Sequence, residues 1–153
     1  MNLGNRFPPA FLRQQLSRRL KAGIVIKLLR RTNDGLIREK RYVVVHVDAH
    51  TVTCIINSAI GPFLQARPDL LRCQVKMTAQ LHGFMAHDSH VDCSHTHTFA
   101  TEDVIDELMA KPDWILGEIS RDLRAEMIAA VKFAPTLSAA EVVQICRSLE
   151  GHD

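Results

Sequence analysis

Three segments rich in β-branched residues follow one another at short spacing and constrain the fold of this chain more than any other feature. They are GIVIKLLR (23–30), LIREKRYVVVHVD (36–48) and HTVTCIIN (50–57). Val, Ile and Tyr at this density suit a pleated, half-buried surface. Asn33-Asp34-Gly35 between the first two segments is a hairpin signal, since these residues tolerate the backbone of a tight turn. Asp48-Ala49 provides a second tight connection, and Gly61-Pro62 breaks the pattern. An antiparallel meander of three strands is expected. After Pro68, LLRCQVKMTAQL reads as a further strand with Cys73, Val75 and Met77 on one face, or as the start of a helix, with the strand preferred.

Helices are expected at both ends. Pro8 and Pro9 can begin one, and Phe11, Leu12, Leu16 and Leu20 recur at three- and four-residue intervals, which predicts a short amphipathic helix ending at Gly23. In the last third, Thr101 followed by Glu102 and Asp103 suits an N-cap with acids in the first turn. The run DVIDELMA then continues to Lys111-Pro112, and WILGEIS reads as a last strand. Ser120 is positioned to cap RDLRAEMIAAVKFA, and Ser138 with Glu141 forms a capping box for AAEVVQICRSLE. Strands followed by helices, without βαβ alternation, indicate an α+β fold on a small antiparallel sheet or barrel. At 153 residues the chain is the size of one domain. The expected organisation is one domain over 1–153, with a basic amphipathic helix in 1–22, a mostly β barrel in 23–99 and mostly helix in 100–153.

Net charge is only +2, but it is distributed unevenly. Residues 1–41 carry eleven Lys/Arg against two acids, whereas residues 101–153 carry five against eleven. This asymmetry fits an anionic partner for the N-terminal third, or two ends of one chain that attract each other. No apolar run approaches the ~20 residues of a membrane span. Arginines stand where the uncharged core of a signal peptide would lie, so a cytoplasmic protein is expected. Cys54, Cys73, Cys93 and Cys146 form no C-x-x-C pair and read as small buried hydrophobes.

The stretch HGFMAHDSHVDCSHTHTF (82–99) holds five of the eight histidines. As one strand over 87–97, it would place His87, Cys93, His95 and His97 on one face and Asp88, His90 and Asp92 on the other. Cys93 and His97 would then lie about 13 Å apart, too far to share one metal ion. His46 and His50 could supply further ligands, although no spacing requires them. Acid/base chemistry asks for less: His87, Asp88 and His90 would suffice, because histidine titrates near neutral pH. A solvated polar connection is the competing reading, with His95 and His97 in the loop before the Thr101 helix.

Five short patches in one order resemble the PemK/MazF-type toxins, SH3-like barrels that act as endoribonucleases in toxin–antitoxin pairs. Gly23-Ile24-Val25-Ile26 is similar to the family's G-D-I-V strand, and Arg41-Tyr42-Val43-Val44-Val45 to its R-P-V-V-V strand. Cys54-Ile55-Ile56-Asn57-Ser58 resembles C-P-I-T-S, and Ser89-His90-Val91-Asp92-Cys93 falls where D-Q-V-R-S would be. Ile115-Leu116-Gly117-Glu118-Ile119-Ser120 resembles the I-G-x-L-S lead into the closing helix. Tyr42, Asn57 and Ser89 replace the family's proline, threonine and aspartate.

The resemblance implies a small antiparallel SH3-like β-barrel with an N-terminal helix and C-terminal helices. It also implies metal-independent cleavage of single-stranded RNA, with no cofactor, a homodimer and a cognate antitoxin protein as partner. Arg41 would stabilise the transition-state charge. His90 or His87 would be the acid/base, and Asn57 with Ser58 would position the phosphate. Arg18, Arg19, Lys27, Arg30, Arg31 and Lys40 are the expected nucleic-acid contacts. The alternatives are a noncatalytic module binding nucleic acid or protein, and a metal-dependent hydrolase using residues 82–97.

Overall fold

The computed structural model of the chain describes residues 8–151. The expected meander forms β1 (Ile24–Arg31), β2 (Ile37–Val47) and β3 (His50–Asn57). Gly35, at φ 82°, closes the first hairpin in a conformation that a side chain would strain. The remaining strands are β4 (Gln74–Met77), β5 (Ser89–Asp92), β6 (His97–Ala100) and β7 (Ile115–Glu118). Their order is β4-β5-β3-β2-β1-β7, with β6 paired to β3 beside β5. The first half of β3 pairs with β6 and its last two residues pair with β5. The result is an α+β fold on a curled, antiparallel half-barrel with helices at both ends of the chain.

Both faces of the sheet are covered, because β2 is apolar on both. Val43 and Val45 enter one core with Val25, Cys54, Val75 and Val91, while Tyr42 and Val44 enter the other with Ile26 and Leu28. The first core is closed by α5 (Arg121–Phe133) and α6 (Ala139–Leu149), through Leu123, Met127, Ile145 and Leu149. The second is closed by α1 (Pro9–Arg19) and α4 (Thr101–Ala110), through Leu16, Val104, Ile105 and Leu108. Two one-turn helices, α2 (Pro62–Gln65) and α3 (Pro68–Leu71), join β3 to β4.

The caps on Ser120 and Ser138 are present as expected, the latter as a full capping box with Glu141. Thr101 differs from its expected role. It is the first helical residue of α4, and its hydroxyl donates to the Asp48 carbonyl (2.8 Å) and pairs with Thr51 Oγ1 (2.9 Å). It therefore ties the helix start to the β2–β3 turn. The N-terminal helix ends at Arg19 rather than Gly23, with Leu20 leaving the helix yet remaining in the core. The part of the expected 1–22 helix that precedes Pro8 lies outside the described residues.

Residues 87–97 do not form one strand. β5 ends at Asp92, whose buried carboxylate binds Gln74 Nε2 (2.8 Å), the Ser94 N–H (2.9 Å) and the Ser94 hydroxyl (2.5 Å). Those bonds turn the chain, so His97 opens β6 instead of lying in a loop, while His95 stays in the connection. His82, at the other end of the histidine-rich stretch, is buried. Its Nδ1 donates to the Thr78 carbonyl (2.8 Å) and its Nε2 accepts from the Ser120 N–H (2.9 Å). Next to it the Phe84 ring lies against Gly117, where a β-carbon would fall about 2.5 Å from the ring. The turn before His87 is thus pinned to the start of α5.

Replacing His82 with Leu leaves a buried N–H and a buried carbonyl unpaired, a loss of about 1–3 kcal/mol. Urea unfolding should show it as a lowered midpoint, with His87→Leu, on an exposed residue, close to wild type. An unshifted His82→Leu midpoint would contradict the role of this strap.

Candidate functional site

The β1–β2 hairpin outruns β3. β1 and β2 pair from Val25 opposite Val43 out to Arg31 opposite Ile37, whereas β2–β3 pairing reaches only Arg41 opposite Ile56. Residues 37–40 of β2 consequently have one unpaired edge. At this rim lies a polar hollow of about 340 Å3 lined by Glu39, Lys40, Arg41, Ile56, Asn57, Ser58, Ala59, Met85, His87 and Ser89. Four of the five expected catalytic residues therefore meet in one place: Arg41, Asn57, Ser58 and His87.

Arg41 stands second in a cross-strand row that runs from Lys27 through Arg41, Ile56 and Val91 to Val75. Its guanidinium has no hydrogen-bond or carboxylate partner among the described residues, and its Nε is buried without one. Lys27, across the pair, is engaged by Glu39 (3.5 Å) and lies 5.2 Å from the Trp114 ring. A half-buried cation without a counter-ion is an electrostatic cost to the fold and a ready anion site.

His87 is exposed, and its ring is oriented by the chain. Nδ1 lies 2.9 Å from the Asp88 carbonyl and 3.3 Å from the Ser89 hydroxyl. A nitrogen against a carbonyl must carry the proton, so Nε2 presents a lone pair. Asp88 does not orient this ring with its carboxylate. That group accepts from the Ala79 N–H (2.9 Å) and faces Lys76 (3.6 Å), and these bonds hold it below the usual carboxylate range.

His90 is absent from the lining. It is the cross-strand partner of Asn57 and Lys76, on the face opposite Val91, and strand alternation turns it from the row that carries Arg41. Its Nδ1 is buried without a partner. Glu39 and Ser89 also line the hollow but were not among the expected site residues. The two-residue spacing of Glu39 and Arg41 on a strand was the signal available for the first; Ser89 reaches the hollow through the β3–β5 pairing.

The expected nucleic-acid contacts divide. Arg30, Arg31 and Lys40 share a second hollow on the other face of β2. Lys27 is tied to Glu39, and Arg18 and Arg19 are exposed at the end of α1, in the elements packed against α4. The charge asymmetry is partly satisfied within the chain: Arg13 pairs with Glu102 and with Asp106 (2.5 Å), and Arg30 with Glu107 (2.9 Å).

Among the described residues no group of three His, Cys, Asp or Glu is arranged to hold a metal ion. His46, one candidate for completing such a site, instead contacts Ser148 Oγ (2.5 Å) and Asp48 (3.2 Å). The four cysteines are buried free thiols, and the Cys54 thiol together with burial pushes the Cys93 thiol well above its ordinary value. Among the described residues no helix is long and apolar enough to cross a membrane.

No protein-family model matches the sequence, and no curated protein matches it. Among solved structures, the chain is similar to the MazE–MazF complex (form II) from Deinococcus radiodurans, at 15% identity and a TM-score of 0.48. The likeness covers 72% of this chain and 90% of that one.

Burial holds the half-buried His97 below its ordinary value of 6.5, with His95 adding to the effect and Asp92 opposing it. The unfolded chain therefore binds this proton first as pH falls. The contribution is complete above about pH 6.5 and is lost progressively below it, as pH falls through the lower folded value. Unfolding of wild type and His97→Gln, compared at pH 7.5 and 5.5, should shift the stability difference toward the variant at the lower pH. A pH-independent difference would contradict the assignment.

Proposed function

We propose that the chain is a toxin-like endoribonuclease that cleaves single-stranded RNA without a metal, at the hollow around Arg41. The observation that supports this best is the unpartnered guanidinium of Arg41 beside the oriented ring of His87, in a hollow of mostly polar lining. Nothing apolar of comparable extent is available there to bind a greasy substrate, whereas a phosphodiester finds a cation, an amide and a hydroxyl.

In the proposed reaction His87 Nε2 takes the proton of the ribose 2′-hydroxyl. The 2′-oxygen attacks the adjacent phosphorus, the bond from phosphorus to the 5′-oxygen breaks, and that oxygen leaves with a proton from water. The products are a 2′,3′-cyclic phosphate and a 5′-hydroxyl. Arg41 offsets the charge that builds on the non-bridging oxygens, which is worth most in a water-poor site. Asn57 can donate its amide to the phosphate, in place of the hydroxyl that the resembled motif carries, and Ser58 stands next to it. His90, on the other face, is assigned no proton transfer. The same reading takes the protein as a cytoplasmic homodimer held inactive by an acidic antitoxin segment on the cations left unpaired.

Purified protein should cut a labelled single-stranded RNA equally well with and without EDTA. Arg41→Ala should slow cutting by about 10²–10³-fold, the usual loss for one transition-state donor. His87→Ala should lose about 10²–10⁴-fold, the range for a general base, and His90→Ala should stay within a few-fold of wild type. Intact RNA with the wild-type protein, or loss of cutting in EDTA, would overturn the proposal. RNA that is bound in a salt-dependent manner yet stays whole would identify a noncatalytic binding module.

A further inference from the structure

On the sheet face opposite Arg41 lies the second hollow, about 400 Å3 in volume, where Arg30, Arg31 and Lys40 meet Tyr42, His97 and Phe99. We propose that this hollow holds one unpaired nucleobase of a single-stranded nucleic acid whose neighbouring phosphate reaches Arg41. The inference rests on the reading of the Arg41 hollow as a phosphodiester site, but its own evidence is independent of cleavage.

The rings form one wall. Tyr42 meets Phe99 edge to face at 5.4 Å and 78°, and meets His97 at 5.9 Å and 62°. Arg30 props this wall rather than offering free charge: its guanidinium lies 4.3 Å from the Phe99 ring and is balanced by Glu107 at 2.9 Å. Arg31 and Lys40 differ. Arg31 binds only the Gly35 carbonyl (2.7 Å), and Lys40 has no carboxylate partner among the described residues. The Tyr42 hydroxyl also makes no hydrogen bond among the described residues. A concave site of this size, with flat rings, two uncompensated cations and a spare hydroxyl, matches an aromatic base carrying a phosphate.

Continuity between the two hollows comes from the overhanging hairpin. Lys40 lines both of them, at the stretch of β2 whose outer edge no strand covers. A chain of nucleotides can therefore cross this edge without displacing any strand, with its phosphate on one side and its base on the other. Tyr42 stands where the resembled motif has proline, so the floor of the base site belongs to this sequence. An acidic peptide could satisfy Arg31 and Lys40 but would gain nothing from the rings.

The test uses a fluorescein-labelled 2′-deoxyuridine hexamer, which lacks the attacking hydroxyl and so reports binding alone. By anisotropy, His97→Ala should weaken binding about tenfold or more, within the range for loss of one stacked base. His97→Phe, which keeps a ring, should restore it and shows that the loss is not one of folding. An abasic hexamer should bind wild type as weakly as the intact hexamer binds His97→Ala. Lys40→Gln should lower the slope of log affinity against log salt by about 0.7. Equal binding of abasic and intact hexamers, an unchanged affinity in His97→Ala, or no binding by wild type would overturn the base site. Failure of cleavage alone would overturn the nuclease reading and leave these binding results standing.

Discussion

Burial of β2 on both faces at once dictates the layers packed around it. Residues 42–45 of β2 are buried without exception, with Tyr42 and Val44 in one core and Val43 and Val45 in the other. A strand of that kind must lie inside a sheet with a layer on each side, which here requires four helices drawn from both ends of the chain. The same strand turns polar at Arg41 and remains so back to Arg38. Its apolar half is therefore committed to folding, and its polar half overhangs the end of β3 at the rim. The candidate site lies where one half gives way to the other.

Charge is arranged to match. The basic N-terminal third and the acidic C-terminal third meet within the fold, where Arg13 and Arg30 face acids of α4. The solvent-exposed pairs of Arg13 contribute little stability each. The acids of α4 engage Arg13 of α1 and Arg30 of β1, whereas Arg31, Lys40 and Arg41 have no carboxylate partner among the described residues.

Much of the architecture was legible because it follows from local rules. The β-branched runs, the Asn33-Asp34-Gly35 turn, the strand carrying Val75 and Met77, and the Ser120 and Ser138 caps each rest on contacts within a few residues. Thr101 misled because a hydroxyl at a helix start also suits a bond to a distant turn, and only the tertiary pairing with Asp48 and Thr51 decides between them. The 87–97 segment broke at Asp92 for a similar reason: three donors converge on one buried carboxylate, one of them from β4. For the candidate site, residue chemistry and resemblance nominated Arg41, Asn57, Ser58, His87 and His90, and four of these line one hollow. Whether His87 or His90 joins Arg41 depends on where the turn before β5 is held against the end of β3, and Tyr42 with Phe99 and His97 depends on β6 pairing beside it. Neither can be read along the chain.

In the proposed reaction the unpaired charge of Arg41 receives a phosphate at the rim of the sheet. The most direct measurement is a crystal structure of the protein with a short RNA made uncleavable by a single 2′-deoxy nucleotide. A backbone phosphate should lie on the terminal nitrogens of Arg41, with His87 Nε2 facing the 2′-carbon of the substituted sugar. RNA bound elsewhere on the molecule, with the Arg41 guanidinium still without an anion, would contradict it.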